Sequence, residues 1–401
     1  MRWKKSWSSA LVVALCVLLL ARSARQLAAA PAWNYDLLGY VGLALEWSED
    51  DPAVVHAETY ATARTELPLP VFQELTGGGV RAVRAREAGA FHEHLAFFRA
   101  RVLYTALLAA LGALGAPLVA ATWWIPLAAW VLAAGLFGLW LARHLGTALG
   151  ALVALGLAHL PALLKQASYS TPDGLALLLV CLGAYLLLER RRFGWASAAL
   201  LAAIAARPDT VILVGFLALA LVVCVPCGER PRLSALALFA GGGAALYLAL
   251  ARFAGEYGYW PLFSISFDEK SAHPASLPTA IDWAKYGAVL RERLGALPGD
   301  GYFVTQAGGE ITGSSLLFLV GALALAGVVL GWRARARHGR EVAWLAALLA
   351  TYLVRFLLFP QAWDRFFAAF YALVPLLIVS LLARELRSRP VPASLVSPRS
   401  S

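Results

Sequence analysis

Seven ionisable side chains stand where apolar runs stop: Asp36, Asp173, Arg207, Asp209, Arg355, Asp364 and Arg365. Charge beside hydrocarbon is costly, so groups kept there are candidates for function. Their types point to a particular chemistry. A carboxylate takes a proton from an attacking hydroxyl when it lies within about 3 Å of it. A guanidinium holds a phosphate through two parallel N–H bonds and steadies charge that develops on a leaving group. Interfacial anchoring or structural ion pairing is the plainer reading of any single member. Their gathering on one face argues more strongly than any one of them.

Other polar groups point less clearly to chemistry. His92-Glu93-His94 offers metal-ligand types, but alternate positions on a helix point apart. Glu49, Asp50 and Asp51 form a charge run whose default is solvation. Cys224 and Cys227 have the spacing of a redox pair without the βαβ setting that would support it, and Cys16 and Cys181 fall inside apolar runs. The aromatics of EYGYWPLF suit sugar stacking, and suit a membrane belt better. No Gly-rich phosphate cradle is present.

What must hold these groups is membrane helix. The chain is 60% hydrophobic and 14% charged, with mean hydropathy +0.68, too little polar surface for a water-soluble domain. Runs near 9–30, 118–142, 146–164, 174–188, 195–206, 210–226, 233–252, 314–332, 342–358 and 366–383 predict an all-α polytopic bundle of about ten spans. We expect one transmembrane domain over 1–388 and a disordered Pro/Ser-rich cytoplasmic tail over 389–401. The net charge of +10 is placed as a membrane topology signal, not as a nucleic-acid footprint. Basic loops at 190–192, 230–232, 333–340 and 384–389 fall on one side, which sets that side as cytoplasmic. Lys4 and Lys5 hold the N-terminus there, and Asp36 then lies outside. The first external loop, 31–100, opens on a stretch at 36–47 with Leu38, Val41 and Leu45 on one helical face. A second, 101–115, is read as a helix in or near the interface. A second long external loop covers 253–313.

NYDLLGYVGLA after the first span, TPDG opening a span, ARPD in mid-chain and FPQAWDRFFAAFY late in the chain together resemble the GT-C superfamily. These are multispanning glycosyltransferases that take sugars from polyprenyl-phosphate carriers, such as protein O-mannosyltransferases and lipid A aminoarabinose transferases. The resemblance covers nearly the whole chain as an order of elements. It implies a transferase that moves a sugar to an extracytoplasmic glycan, lipid or protein acceptor, in a bacterial inner (plasma) membrane. It implies Asp36 as the catalytic acid, Asp173 as a supporting acid and Arg365 as the carrier-phosphate contact. Arg207, Arg355, Asp364 and Tyr104 complete the expected substrate- and phosphate-binding set. The interface helices, here 36–47 and about 92–115, would shape the pocket. Many members carry paired acids after the first span. Here Leu37 follows Asp36, so a partner acid would come from elsewhere, with Glu46 and Glu58 the candidates. Some members of the family need a divalent metal ion and others do not, and Asp36 with Asp173 is compatible with either; no other cofactor is implied.

If Asp36 acts as a single base opposite the leaving group, the anomeric carbon inverts. Asp36 and Arg365 should then line one external cavity, roughly 6–12 Å apart, with an apolar groove for the polyprenyl tail. A transporter or flippase of a lipid-linked glycan would instead need charges near the bilayer midplane and an internal repeat. A non-catalytic membrane scaffold would leave the convergence of Asp36, Asp173 and Arg365 as accident.

Overall fold

The structure, a computed structural model, describes residues 2–255, 257–267, 271–296, 314–361 and 364–388. Helix accounts for most of it, and among the described residues the only β pairing is an isolated bridge between Ala32 and Tyr169. The expected tail at 389–401 lies outside these residues.

Helix α1 (Arg2–Ala29) is a long apolar helix with most of its surface uncovered. It packs on α9 (Thr147–Ala158), where Ser23 Oγ meets His159 Nε2 at 2.8 Å. The loop that follows is almost continuous helix: α2 (Asp36–Leu45), α3 (Pro52–Glu66), α4 (Leu69–Thr76), α5 (Gly79–Arg86), α6 (Ala88–Arg99) and α7 (Val102–Ala113). These helices build a core of their own, centred on Leu37, Tyr40, Tyr60, Phe91, Leu95 and Tyr104.

Two elements of this loop differ from the sequence reading. Leu37 to Ala44 of α2 are all buried, so α2 is a core helix and not a one-faced surface helix. Gly39 and Gly42 permit this: a Cβ at either would lie 3.1 Å from Phe98 or 2.9 Å from Phe91. The stretch at 92–115 is broken, with α6 and α7 meeting at 116°. Arg101 sits at the corner with its guanidinium on the Phe98 ring and donating to Tyr40 Oη at 2.8 Å. Those contacts hold the corner residue out of the helical conformation.

The bundle proper begins with α8 (Leu118–Leu145), which packs closely on α9; a Cβ on Gly150 would meet the Ala142 backbone at 2.6 Å. Helix α10 (Pro161–Ser168) leaves α9 at 67°. Pro161 explains the break, since proline lacks the N–H of a helical bond and turns the residue before it away from helix. Then follow α11 (Asp173–Leu188), α12 (Phe193–Ala206), α13 (Thr210–Cys224), α14 (Leu233–Ala254), α15 (Tyr259–Phe267), α16 (Trp283–Ala296), α17 (Ser314–Arg333), α18 (Arg335–Leu358) and α19 (Asp364–Ser388). Trp130, Trp140, Trp344, Phe137 and Tyr371 anchor the main core.

Among the described residues, five helices are long and apolar enough to cross a membrane: the Ser8–Ala29 part of α1, then α8, α14, α18 and the Arg365–Arg387 part of α19. The number is seven if the bent pairs α6–α7 and α9–α10 each count as one span. Helices α11, α12 and α13 are apolar but shorter.

The ends of these helices sort by charge. At one end Glu189 accepts from Arg384 at 2.7 Å and meets His144 at 3.0 Å, while Arg384 also pairs with Glu341. Arg340 donates to Glu229 O at 2.6 Å, which draws two of the basic loops together. The residues singled out for chemistry lie at the other ends of the same helices.

Candidate functional site

Each site residue occupies a helix end, and the ends are brought together by backbone. Ala32 N donates to Ser168 O at 3.1 Å, which ties the chain just ahead of α2 to the chain just ahead of α11. Asp36 and Asp173 are the first residues of those two helices, where the helix dipole favours a carboxylate. Arg207 and Arg355 close α12 and α18, where it favours a cation. Arg365 stands in the first turn of α19, where the dipole opposes it.

The charges pair directly. Arg365 Nη1 donates to Asp36 Oδ2 at 3.0 Å. Contact with Asp36 offsets the unfavourable placement of Arg365. The two are thus nearer than the gap expected of them. Arg207 bridges two carboxylates, Asp173 through Nη1 and Asp209 through Nε at 2.9 Å. Arg355 Nη2 reaches the other Asp209 oxygen at 2.7 Å. Arg207 Nη1 is also 3.4 Å from the Arg365 carbonyl, and Arg355 Nη1 donates to the Phe366 carbonyl. Burial alone would raise the Asp209 carboxyl; Arg207 and Arg355 outweigh it and hold the group below its ordinary value.

Phe366 is the hub of this arrangement. The guanidinium carbons of Arg355, Arg207 and Arg365 lie 4.4, 4.9 and 5.1 Å from its ring centre. Cation–π attraction lets one ring hold three like charges in register. Beside it opens a pocket of about 460 Å³, solvent at its mouth included. Asp173, Arg207, Asp209, Arg355, Arg365 and Phe366 form its polar wall, and Leu177, Val180 and Leu213 line the apolar side. Asp36 is not part of the lining and is joined to it through Arg365.

A fourth guanidinium, that of Arg101, approaches from the corner of α6 and α7. Its Nη1 bonds Tyr40 Oη, one turn along α2 from Asp36, and among the described residues it pairs with no carboxylate. Burial, partly offset by Arg101, pushes the Tyr40 phenol up to about 12, so Tyr40 stays a neutral hydroxyl.

Of the residues expected from sequence, Asp36, Asp173, Arg207, Arg355 and Arg365 meet here. The Asp364 side chain lies outside the described residues. Tyr104 is fully buried, donates to Thr122 O and packs edge-on against Tyr40 at 4.8 Å, so it reaches the site only through Tyr40. Glu46 is held by Arg99 at 2.7 Å, and Glu58 is exposed on α3, so neither stands beside Asp36. Asp51 caps α3 by accepting from Ala53 N at 2.8 Å, which gives the acidic run a structural task.

Sequence reasoning passed over Phe366 and Arg101. Phe366 directly follows Arg365 in WDRF, and Arg101 marks the step from polar to apolar sequence. Among the described residues no three His, Cys, Asp or Glu side chains gather as metal ligands. Asp36 and Asp173 each point at an arginine, a donor set that fits an anion better than a metal ion.

Compared with known protein families, curated proteins and solved structures, the chain matches none.

Proposed function

We propose that this chain is a membrane glycosyltransferase of GT-C type. It would move a sugar from a polyprenyl-phosphate carrier to an acceptor hydroxyl on the extracytoplasmic face. One observation carries the reading: a carboxylate, Asp36, is ion-paired with Arg365, which lines a pocket that holds two further arginines and an apolar wall. About ten passes belong to the same proposal, with the shorter apolar helices counted as spans beside the five long ones. The membrane is proposed to be a bacterial inner membrane, with the basic helix ends in the cytoplasm.

The chemistry follows from these groups. Asp36 accepts the proton of the acceptor hydroxyl as its oxygen bonds to the anomeric carbon. The bond from that carbon to the phosphate oxygen breaks, and its electron pair leaves with the polyprenyl phosphate. Arginine stabilises the leaving phosphate as its charge develops. Attack opposite the leaving group inverts the anomeric carbon. The Asp36–Arg365 pair adds a step order. A donor phosphate competes with Asp36 for Arg365, and taking that cation frees Asp36 to act as base.

The test is transfer from labelled polyprenyl-phosphate sugars by the full chain in lipid nanodiscs. Asp36→Asn should lower the rate by roughly 10²–10⁴, the usual worth of a general base. Full activity in that variant would remove Asp36 as the base. Absence of transfer from every polyprenyl-phosphate sugar by the wild-type protein would remove the transferase reading.

A further inference from the structure

At the basic end of the bundle another aromatic ring lies beneath two guanidinium groups. Tyr185, near the end of α11, is 6% exposed. The guanidinium carbons of Arg143 and Arg190 lie 5.4 and 5.6 Å from its ring centre. Arg190 Nε also donates to Tyr185 Oη at 3.2 Å. Arg143 stands in the last turn of α8, and Arg190 lies just beyond α11. Arg387, in the last turn of α19, completes the group. Its Nη2 donates to the Arg143 and His144 carbonyls at 3.0 and 2.8 Å, across the end of α8.

Each of these arginines is fixed through one nitrogen. Arg190 uses Nε and Arg387 uses Nη2. Arg143 uses Nη1, which lies 3.4 Å from the Glu189 carbonyl and 3.9 Å from its carboxylate. All three residues are exposed, so their outer N–H groups face an acceptor from outside the chain. The carboxylates at this end are engaged elsewhere. Glu189 is taken by Arg384 at 2.7 Å and His144 at 3.0 Å, Glu341 by Arg384, and Glu385 by His338 at 3.2 Å and Arg337 at 3.5 Å. Orientation in a membrane asks only for positive charge in a loop. It does not ask for guanidinium planes held on a ring with an edge turned outward. That arrangement suits a phosphate, which accepts parallel N–H bonds from such an edge.

The surroundings decide what carries the phosphate. Leu139 lies one turn before Arg143 on α8, and Leu382 and Leu386 precede Arg387 on α19; all three leucines are exposed. Trp140 Nε1 donates to Ser380 Oγ at 3.0 Å and joins the two helices at that level. Apolar helix surface beside the arginines gives nothing to a free phosphate or a nucleic-acid strand. It suits the acyl chains of a phospholipid whose headgroup reaches the helix ends.

We propose that Arg143, Arg190 and Arg387 bind the phosphate of an anionic phospholipid in the leaflet at the basic end of the bundle, with its chains along α8 and α19. This site stands apart from the pocket and does not rest on the transferase reading.

The experiment counts bound lipid. The full chain in detergent is titrated with phosphatidylglycerol, or with phosphatidylcholine of the same acyl chains, and native mass spectrometry reads the bound species. Phosphatidylglycerol should bind about tenfold or more the tighter. Arg143→Gln with Arg190→Gln should remove about tenfold of that affinity and leave phosphatidylcholine unchanged. Should the pair lower the Tm, Arg190→Gln alone should still weaken phosphatidylglycerol about threefold. Arg232→Gln removes the same charge from an exposed residue of another basic loop, and should stay within about twofold of wild type. The proposal is overturned if the two phospholipids bind alike, or if the Gln variants bind phosphatidylglycerol as wild type does. It is overturned equally if Arg232→Gln weakens binding as much, which is a diffuse field and not a site, or if inorganic phosphate at equal concentration displaces the lipid.

Discussion

At the scale of single residues, the difference between Arg101 and its neighbours matters most. Arg207, Arg355 and Arg365 each face a carboxylate, whereas Arg101 is bonded to a phenol. A guanidinium without a countercharge gains more from an incoming phosphate than one that must first give up a carboxylate. Arg101→Ala should therefore raise the KM for a polyprenyl-phosphate donor about tenfold or more, equivalent to about 1.4 kcal/mol. Tyr40→Phe, which keeps the cation, should cost less. Steady-state kinetics on both variants checks the order, and an unchanged KM in Arg101→Ala would place the phosphate elsewhere. The charged residues of the pocket were legible in the sequence because charge is rare beside apolar runs. Phe366 and Arg101 were not, because a phenylalanine at the start of an apolar helix and an arginine at the end of a polar one both look ordinary. What makes them unusual is a neighbour brought close by the fold.

At the scale of elements, one acid ties the end of α3 to the start of the bundle. The Glu66 carboxylate, at the end of α3, accepts from Leu118 N at 3.1 Å and Val119 N at 3.0 Å, and so caps α8 from a different helix. A helix N-terminus leaves such N–H groups unsatisfied, and a carboxylate there also meets the dipole favourably. Glu66→Ala should cost about 1–2 kcal/mol, read as a lower Tm in nanodiscs. A variant with wild-type Tm would show that the bundle orients α8 without this cap. Helix ends were harder to read than helix cores. Pro161 marks the α9–α10 break in the sequence, yet the apolar run passes through it. Nothing local in the sequence marks the α6–α7 corner, which depends on Arg101 finding Tyr40 and Phe98. The burial of α2 was hidden for a similar reason. Its glycines are informative only once Phe91 and Phe98 are known to lie against them.

At the scale of the molecule, charge is divided between the two ends of the bundle, and its stability should follow pH at both. Asp209 is held below its ordinary value at the site end. Glu189 is too at the basic end, where burial opposes the shift and His144 and Arg384 outweigh it. A carboxyl depressed in the folded state stabilises it fully above the unfolded value, near pH 4. That contribution is lost as pH falls through the lower folded value. Thermal stability in nanodiscs should thus be level above about pH 5 and drop as pH falls below about 4. Glu189→Gln should flatten part of that fall. A flat profile in the wild-type protein would show that neither carboxyl is depressed. The helical class and the separation of the pocket's charges from the basic loops were both readable, because hydropathy and charge are local properties. The ends of the short apolar helices were legible too: the runs read at 174–188 and 195–206 stop at Leu188 and Ala206, and α13 stops at Cys224, two residues short of the 210–226 run.

The pocket draws its polar wall from four stretches spread over almost two hundred residues, and α19 brings the last of them. During synthesis Asp36, Asp173 and Asp209 leave the ribosome long before Arg365 and Phe366. Arg207 and Arg355 also wait for the aromatic ring on which they settle. Completion of the site is thus a late event in biogenesis, and a nascent chain that stalls before α19 would carry half-matched charges at a membrane surface. Such a chain is conspicuous to quality-control proteases in a way that the finished protein is not.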